Sequence, residues 1–264
     1  MLSRESYLVT GATGGLGAIV CEQLVAGGAR VIATCRSREK LERLAAKLGV
    51  EVIVADLARL ADVERLAREV GSVDVLVNNA GVGFGSDQLR REVSHDGIEL
   101  RFAVNYLAPF VLTYALIERA RAVVQVASLG QRELDFSNLD VARDYDGIVA
   151  YRRSKLAQVM LAFDTAARFA TPTNALHPGT FLDTGMVRES GITPLGTARQ
   201  GADAIIGVIA KTLAGTTGEL FDQDKPGRAH PQAYDERARR ELFVHSCELV
   251  RSFIPLPTAA RRLL

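Results

Sequence analysis

Two periodicities alternate along this chain. Tyr7-Leu8-Val9-Thr10, Arg30-Val31-Ile32-Ala33-Thr34, Val50-Glu51-Val52-Ile53-Val54-Ala55 and Val73-Asp74-Val75-Leu76-Val77 are short runs rich in β-branched and aliphatic residues. Between them lie segments whose apolar positions follow a helical period. The first of these carries Ile19, Val20 and Leu24, and the next two span 38–48 and 61–70. Further on, the pattern predicts a long helix over 95–119, a strand over 122–128, a polar connection over 129–150 and a helix over 151–169. A strand over 173–177 stops at Pro178-Gly179, and a helix over 197–213, a strand over 218–221 and a helix over 231–253 complete the chain. In the last helix Leu242, Phe243, Leu249 and Val250 fall at core positions. Near-continuous Val/Ile/Leu strands alternating with helices mean a parallel sheet covered on both faces. Right-handed crossovers make it doubly wound, an α/β fold of three αβα layers with about seven strands. No linker or repeat interrupts the pattern, so 1–264 reads as a single domain. Loops 81–95, 129–150 and 180–196 lie at the carboxyl ends of strands, and 231–264 is a helical tail.

Composition narrows the partners. Of 264 residues, 48% are hydrophobic and 24% charged, a balance typical of soluble globular chains. Lys+Arg of 32 against Asp+Glu of 31 leaves a net charge of +1, which lacks the basic footprint of a nucleic-acid binder. Cys21, Cys35 and Cys247 are too scattered for a disulfide framework or a zinc site, and His95, His177, His230 and His245 show no metal-ligand spacing. No metal is expected, and a reducing, cytoplasmic compartment is. The first strand begins by about Tyr7, leaving no room for a signal peptide, and no apolar run approaches the roughly 20 residues of a membrane span.

The chemistry concentrates at two places. Gly11-Ala12-Thr13-Gly14-Gly15-Leu16-Gly17 joins the first strand to the first helix. Glycines there let the backbone approach a pyrophosphate and present helix N-terminal N–H groups to its charge. At the end of the second strand, where a carboxylate would accept the ribose hydroxyls of NAD, the chain has Cys35 followed by Arg36. Arg36 can pair with a 2′-phosphate, which favours NADP(H) over NAD(H). The second place is Tyr151-Arg152-Arg153-Ser154-Lys155, where helical spacing puts Tyr151 and Lys155 on one face. An ammonium there lowers the pKa of a phenol and makes it a proton donor, although such pairs more often simply cover a helix surface.

These residues resemble the short-chain dehydrogenases/reductases over nearly the whole chain. The resemblance rests on the Thr10 to Gly17 loop, Asp56 after the third strand, Asn78-Asn79-Ala80-Gly81 after the fourth, Asn105 in the long helix, Ser128 after the fifth strand, Tyr151 with Lys155, and Pro178-Gly179 after the sixth. Ala150-Tyr151-Arg152-Arg153-Ser154-Lys155-Leu156-Ala157, Leu176-His177-Pro178-Gly179 and Arg239-Arg240-Glu241-Leu242-Phe243 are most similar to its retinol dehydrogenase and protochlorophyllide reductase branch.

The resemblance implies an oxidoreductase in which Tyr151 is the general acid or base, Lys155 tunes it and holds the nicotinamide ribose, Ser128 hydrogen-bonds the reacting oxygen and Asn105 anchors a water. It implies cofactor contacts from Gly11, Thr13, Gly14, Gly15, Leu16 and Gly17, from Arg36 and Ser37, from Asp56 and Leu57 at the adenine, and from Asn79, Ala80 and Gly81. Pro178, Gly179, Thr180 and Thr184 fall at the carboxamide, in a segment one residue longer than the family's Pro-Gly-x-x-x-Thr. The N-terminal membrane anchor that many retinol dehydrogenases carry is not expected here, which weighs against a retinoid substrate. Helices such as 95–119 and 151–169 pair subunits in many members, as homodimers or homotetramers. Phe84, Leu134, Phe136, Phe181, Met186 and Ile192 in the loops suit a lipophilic small-molecule substrate, such as a secondary metabolite. An NADP-dependent ketoreductase leads. An NAD(P)-dependent alcohol dehydrogenase working toward oxidation is the alternative, and a non-catalytic NADP(H)-sensing binding protein is the alternative from another class.

Overall fold

A computed structural model describes residues 5–264. Eight strands form one sheet in the order β3-β2-β1-β4-β5-β6-β7-β8. They are β1 (Ser6–Thr10), β2 (Arg30–Cys35), β3 (Glu51–Val54), β4 (Val75–Asn78), β5 (Ala122–Val126), β6 (Thr173–His177), β7 (Leu220–Asp222) and β8 (Lys225–Pro226). The first seven run parallel, and β8 folds back antiparallel on β7. The chain moves outward from β1 to β3 and then returns to place β4 beside β1. That reversal opens a crevice beyond the carboxyl ends of β1 and β4.

Alternate residues of each strand feed two apolar layers. Tyr7, Val9, Val31, Val75 and Val77 pack under α1 (Gly15–Ala26), α2 (Arg38–Leu48) and α8 (Ala198–Leu213). Leu8, Ile32, Leu76 and Val123 pack under α3 (Leu60–Val70), α5 (Ala108–Leu116) and α6 (Gly147–Arg168), and α9 (Glu236–Arg251) extends the same apolar cluster outward.

Four boundaries differ from the pattern. The helix expected from His95 starts only at Leu100: Ser94 to Gly97 turns, Gly97 has φ +76°, and Glu99 caps the helix by accepting from Phe102 N at 2.8 Å. It then runs as α4 (Leu100–Phe102), a π turn over Ala103–Leu107, and α5. The helix carrying Tyr151 starts earlier, at Gly147, because Asp146 accepts from Ile148 N and Val149 N. The expected loop 180–196 contains a short helix, α7 (Gly185–Glu189). The tail divides into a 3-10 turn over Pro231–Tyr234, α9 capped by Asp235, and α10 (Thr258–Arg261).

The tail lies on α5 and α6. Phe243 meets Phe110 and Tyr114 at ring-centroid distances of 6.0 and 5.5 Å, and the Tyr106 hydroxyl bonds Ser246 Oγ at 2.7 Å. Every α6 residue from Ser154 to Thr165 is buried within this one chain. The helices expected to pair subunits therefore have these faces covered by their own tail. No helix among the described residues is long and apolar enough to cross a membrane.

Candidate active site

The glycine turn follows β1 and opens α1. Gly14 caps that helix with no side-chain bond, and no acidic residue stands in its first turn, so its leading N–H groups face the crevice free of side-chain acceptors. A Cβ on Gly17 would overlap the Gly11 carbonyl oxygen and come within 2.8 Å of Asn79 Nδ2. Asn79 is itself tied to the turn: its Nδ2 donates to Thr10 O at 2.8 Å, while Thr10 Oγ1 accepts from Asn79 N and Ala80 N, both at 3.0 Å. The β1 turn and the β4 end are thus one rigid cradle, built around glycines because it has no room for side chains. Leu16 instead packs its side chain toward Gly201 of α8.

Around the cradle the other expected residues separate. Thr13 is half-buried. Arg36 is exposed just beyond β2, with no hydrogen-bond or ion-pair partner among the described residues, whereas Ser37 uses its hydroxyl to cap α2, accepting from Lys40 N at 3.4 Å. Asp56 accepts from Ala58 N at 3.0 Å and lies 3.3 Å from His95 Nε2, and Leu57 is buried in the core. After β6, Gly179 has φ +137° and Thr180 Oγ1 bonds His177 Nε2 at 3.1 Å. The extra residue in this segment does not carry Thr184 away: its Cγ2 lies 2.8 Å from where a Cβ on Gly15 would be. Met186, next along, covers Gly83 and reaches Gly81.

The second cluster forms two residues beyond β5 and in the second turn of α6. The Tyr151 phenol stands beside Ser128, near enough for the serine hydroxyl to act on its proton affinity, and Ser128 Oγ accepts from Gly130 N at 3.0 Å. Phe84 meets the Tyr151 ring edge-on, centroids 5.7 Å apart. Lys155 is buried and donates to Val126 O at 2.9 Å and to Gln158 Oε1 at 3.0 Å, its Nζ 6.0 Å from the centroid of the phenol ring.

Burial pushes the Tyr151 phenol above its ordinary value, with the Ser128 hydroxyl acting the other way, and burial lowers the Lys155 ammonium to about 7. The lysine points to a strand carbonyl and a glutamine, not to the phenol oxygen. Gln158 is a site neighbour that sequence reasoning missed, although it stands at i+3 from Lys155, the spacing at which helical side chains meet.

Asn105 sits in the π turn, fully buried. Its Oδ1 accepts from Val82 N at 2.7 Å, and its Nδ2 donates to Val82 O at 3.0 Å and Ser154 Oγ at 2.9 Å. The amide so placed joins the loop after β4 to the α6 turn between Tyr151 and Lys155. Among the described residues no group of three or more His, Cys, Asp or Glu could hold a metal ion.

Residues 5–194 match the family model described as short chain dehydrogenase. Retinol dehydrogenase 13 of Homo sapiens is 30% identical over 286 aligned residues, covering 93% of this chain and 84% of its own. Retinol dehydrogenase 14 of Mus musculus is 31% identical over 288, covering 92% and 85%. A crystal structure of an uncharacterised protein from Mycobacterium paratuberculosis superposes with a TM-score of 0.78 at 27% identity, covering 97% of this chain and 96% of that one.

Proposed function

The chain belongs to the short-chain dehydrogenase family, oxidoreductases acting on alcohol and carbonyl groups, and from that premise we propose that it is an NADP-dependent ketoreductase for a lipophilic, ring-like carbonyl substrate. The observation that carries this reading is the contact between Ser128 and Tyr151 beside a buried Lys155. Two hydroxyls converge where one carbonyl oxygen can accept from both.

The chain's own groups divide the work. The Tyr151 phenol is the proton donor, and its burial acts in favour of the protonated form that a general acid needs for reduction. Ser128 donates to the same oxygen, and Lys155 would hold the cofactor ribose. The uncapped N-terminus of α1 and the side-chain-free cradle at Gly11 and Gly17 fit a pyrophosphate, and Arg36 is free to meet a 2′-phosphate. The nicotinamide, when bound, supplies the hydride. Phe84 against the Tyr151 ring and Met186 over Gly83 give the site apolar walls, in keeping with relatives named retinol dehydrogenases. A cofactor-sensing protein would have no use for a proton donor placed beside Ser128 and a buried Lys155.

Tyr151→Phe tests the reading. NADPH oxidation with a panel of lipophilic ketones and with all-trans-retinal should fall by about 10²- to 10⁴-fold, the usual worth of a general acid, while NADPH fluorescence titration still shows binding. Undiminished turnover in that variant overturns the mechanism. A wild-type protein that binds NADPH and reduces no carbonyl returns the sensor.

A further inference from the structure

Arg101 is the largest side chain among the fully buried ones, and no step of the proposed reaction uses it. Its Nε donates to Gly83 O at 2.9 Å, Nη1 to the Tyr145 hydroxyl at 2.9 Å and to Glu99 Oε1 at 3.3 Å, and Nη2 to Glu92 Oε2 at 2.6 Å. Tyr145 closes the ring by donating to Glu99 Oε1 at 3.1 Å, and the other oxygen of Glu99 caps α4. The acceptors come from three separate segments. Gly83 and Glu92 stand at two points of loop 81–95, Tyr145 near the end of loop 129–150, and Glu99 at the head of the helix that leads into the π turn. A guanidinium tolerates such burial only with its donors satisfied, and its planar fork then fixes the positions of its partners more tightly than a lysine would.

What the fork holds lies next to Tyr151. Gly83 precedes Phe84, whose ring meets that of Tyr151, and Met186 rests on Gly83 itself. The same loop docks on the first turn of α6: Gly147 N donates to Gln88 O at 2.8 Å, and a Cβ on Gly147 would stand 2.6 Å from Phe84 O. Loop 81–95, loop 129–150 and the helix bearing Tyr151 are therefore registered against one another through a side chain remote from the reacting groups.

We propose that Arg101 is a positioning residue for substrate specificity: by clamping Gly83, Glu92 and Tyr145 it sets Phe84 and Met186 as the apolar wall beside Tyr151 without itself touching substrate. The assignment of that wall rests on the reading under Proposed function, whereas the clamp between the loops does not.

The test uses R101M, which keeps length and loses every donor, R101K, which keeps charge and loses the fork, and Y145F, which loses the bridge to Glu99. NADPH titration checks that each variant is folded. The first readout is limited trypsin cleavage of the NADPH-bound protein at Arg90 and Arg143, both exposed in the two loops. The second is the ratio of kcat/KM for all-trans-retinal to that for hexanal, a large and a small carbonyl assayed with NADPH. We expect cleavage at both arginines to accelerate in R101M, and to a smaller extent in R101K and Y145F. The selectivity ratio should fall roughly 10- to 100-fold in R101M, chiefly through KM for retinal, as for a displaced binding wall. Wild-type cleavage rates in all three variants overturn the clamp. Faster cleavage with an unchanged ratio overturns the specificity role and leaves a structural ion pair. If R101M does not fold, R101K and Y145F decide by the same criteria. If wild type reduces neither carbonyl, the functional reading and the wall built on it fall together, while the cleavage rates still decide the clamp.

Discussion

Replacing Lys155 with Met should make the cofactor-free protein's stability less dependent on pH. In the unfolded chain this lysine titrates near 10.5, and in the folded protein burial brings it to about 7. Between those values the unfolded chain binds one proton more than the native one, so wild-type stability rises with pH. The slope is about 1.4 kcal/mol per unit. The burial penalty is complete below about pH 7, relieved progressively above it, and gone beyond about pH 10.5; from 10.5 down to about 7 it amounts to about 5 kcal/mol. Met removes the titration and also strips Val126 O and Gln158 Oε1 of their donor, a cost of about 1–3 kcal/mol each that does not vary with pH. The two costs partly cancel at low pH, so the absolute difference decides little and the slope decides the matter. Urea unfolding of both proteins from about pH 7.5 to about pH 9.5 should show the stability of the variant relative to wild type declining by about 3 kcal/mol. A difference that stays constant over that range refutes a lysine held near neutrality by burial.

Three further outcomes follow from particular contacts. Arg36→Ala should weaken NADPH about 10- to 100-fold, the worth of one charge-assisted bond, and leave NADH affinity unchanged in a fluorescence titration; equal losses for both cofactors remove the NADP assignment. Phe243→Ala withdraws the ring that covers Phe110 and Tyr114 and should cost about 3–5 kcal/mol. Light scattering should find wild type monomeric, since α5 and α6 are covered by the tail, and a wild-type dimer would show pairing through some other face.

The sheet and the cradle were legible in the sequence because both are local. A central parallel strand is apolar on both faces, so Val75-Leu76-Val77 announces itself, and a glycine turn between a strand and a helix has few other uses. Helix starts were less legible where apolar spacing runs through a turn. Ile98 is buried like a helical residue, yet Gly97 and the Glu99 cap place the true start at Leu100. At the other helix the error ran the opposite way. Gly147 reads as a breaker, while Asp146 before it is a good cap whose two bonds outweigh the glycine. Arg101 could not be found by pattern at all. Charged residues are expected outside, and what draws this one inward is Glu92, Tyr145 and the Gly83 carbonyl, which meet it only after the loops have folded. The spacing of Tyr151 and Lys155 gave the right face of the right helix but not the direction of the ammonium, because one of its acceptors, Val126 O, belongs to a strand.

The polar groups buried behind the site explain why its rigid and variable parts can be separated. Ser154 lies between Tyr151 and Lys155 and donates to Tyr151 O at 2.7 Å while accepting from Asn105. Asn105 in turn holds both the N–H and the carbonyl of Val82, next to Gly81. A regular α-helix offers every main-chain group a partner four residues away, and the π turn at Ala103–Leu107 shifts that ladder by one residue where Asn105 must reach two other segments at once. The chain from Val82 through Asn105 and Ser154 to α6 mounts the proposed catalytic residues on core elements, whereas Phe84 is carried by a loop whose register depends on Arg101, and Met186 of α7 rests on that loop at Gly83. Loosening the Arg101 fork should therefore change which carbonyl is accepted before it changes how the proton is delivered, and a matching change at Asn105 should do the reverse.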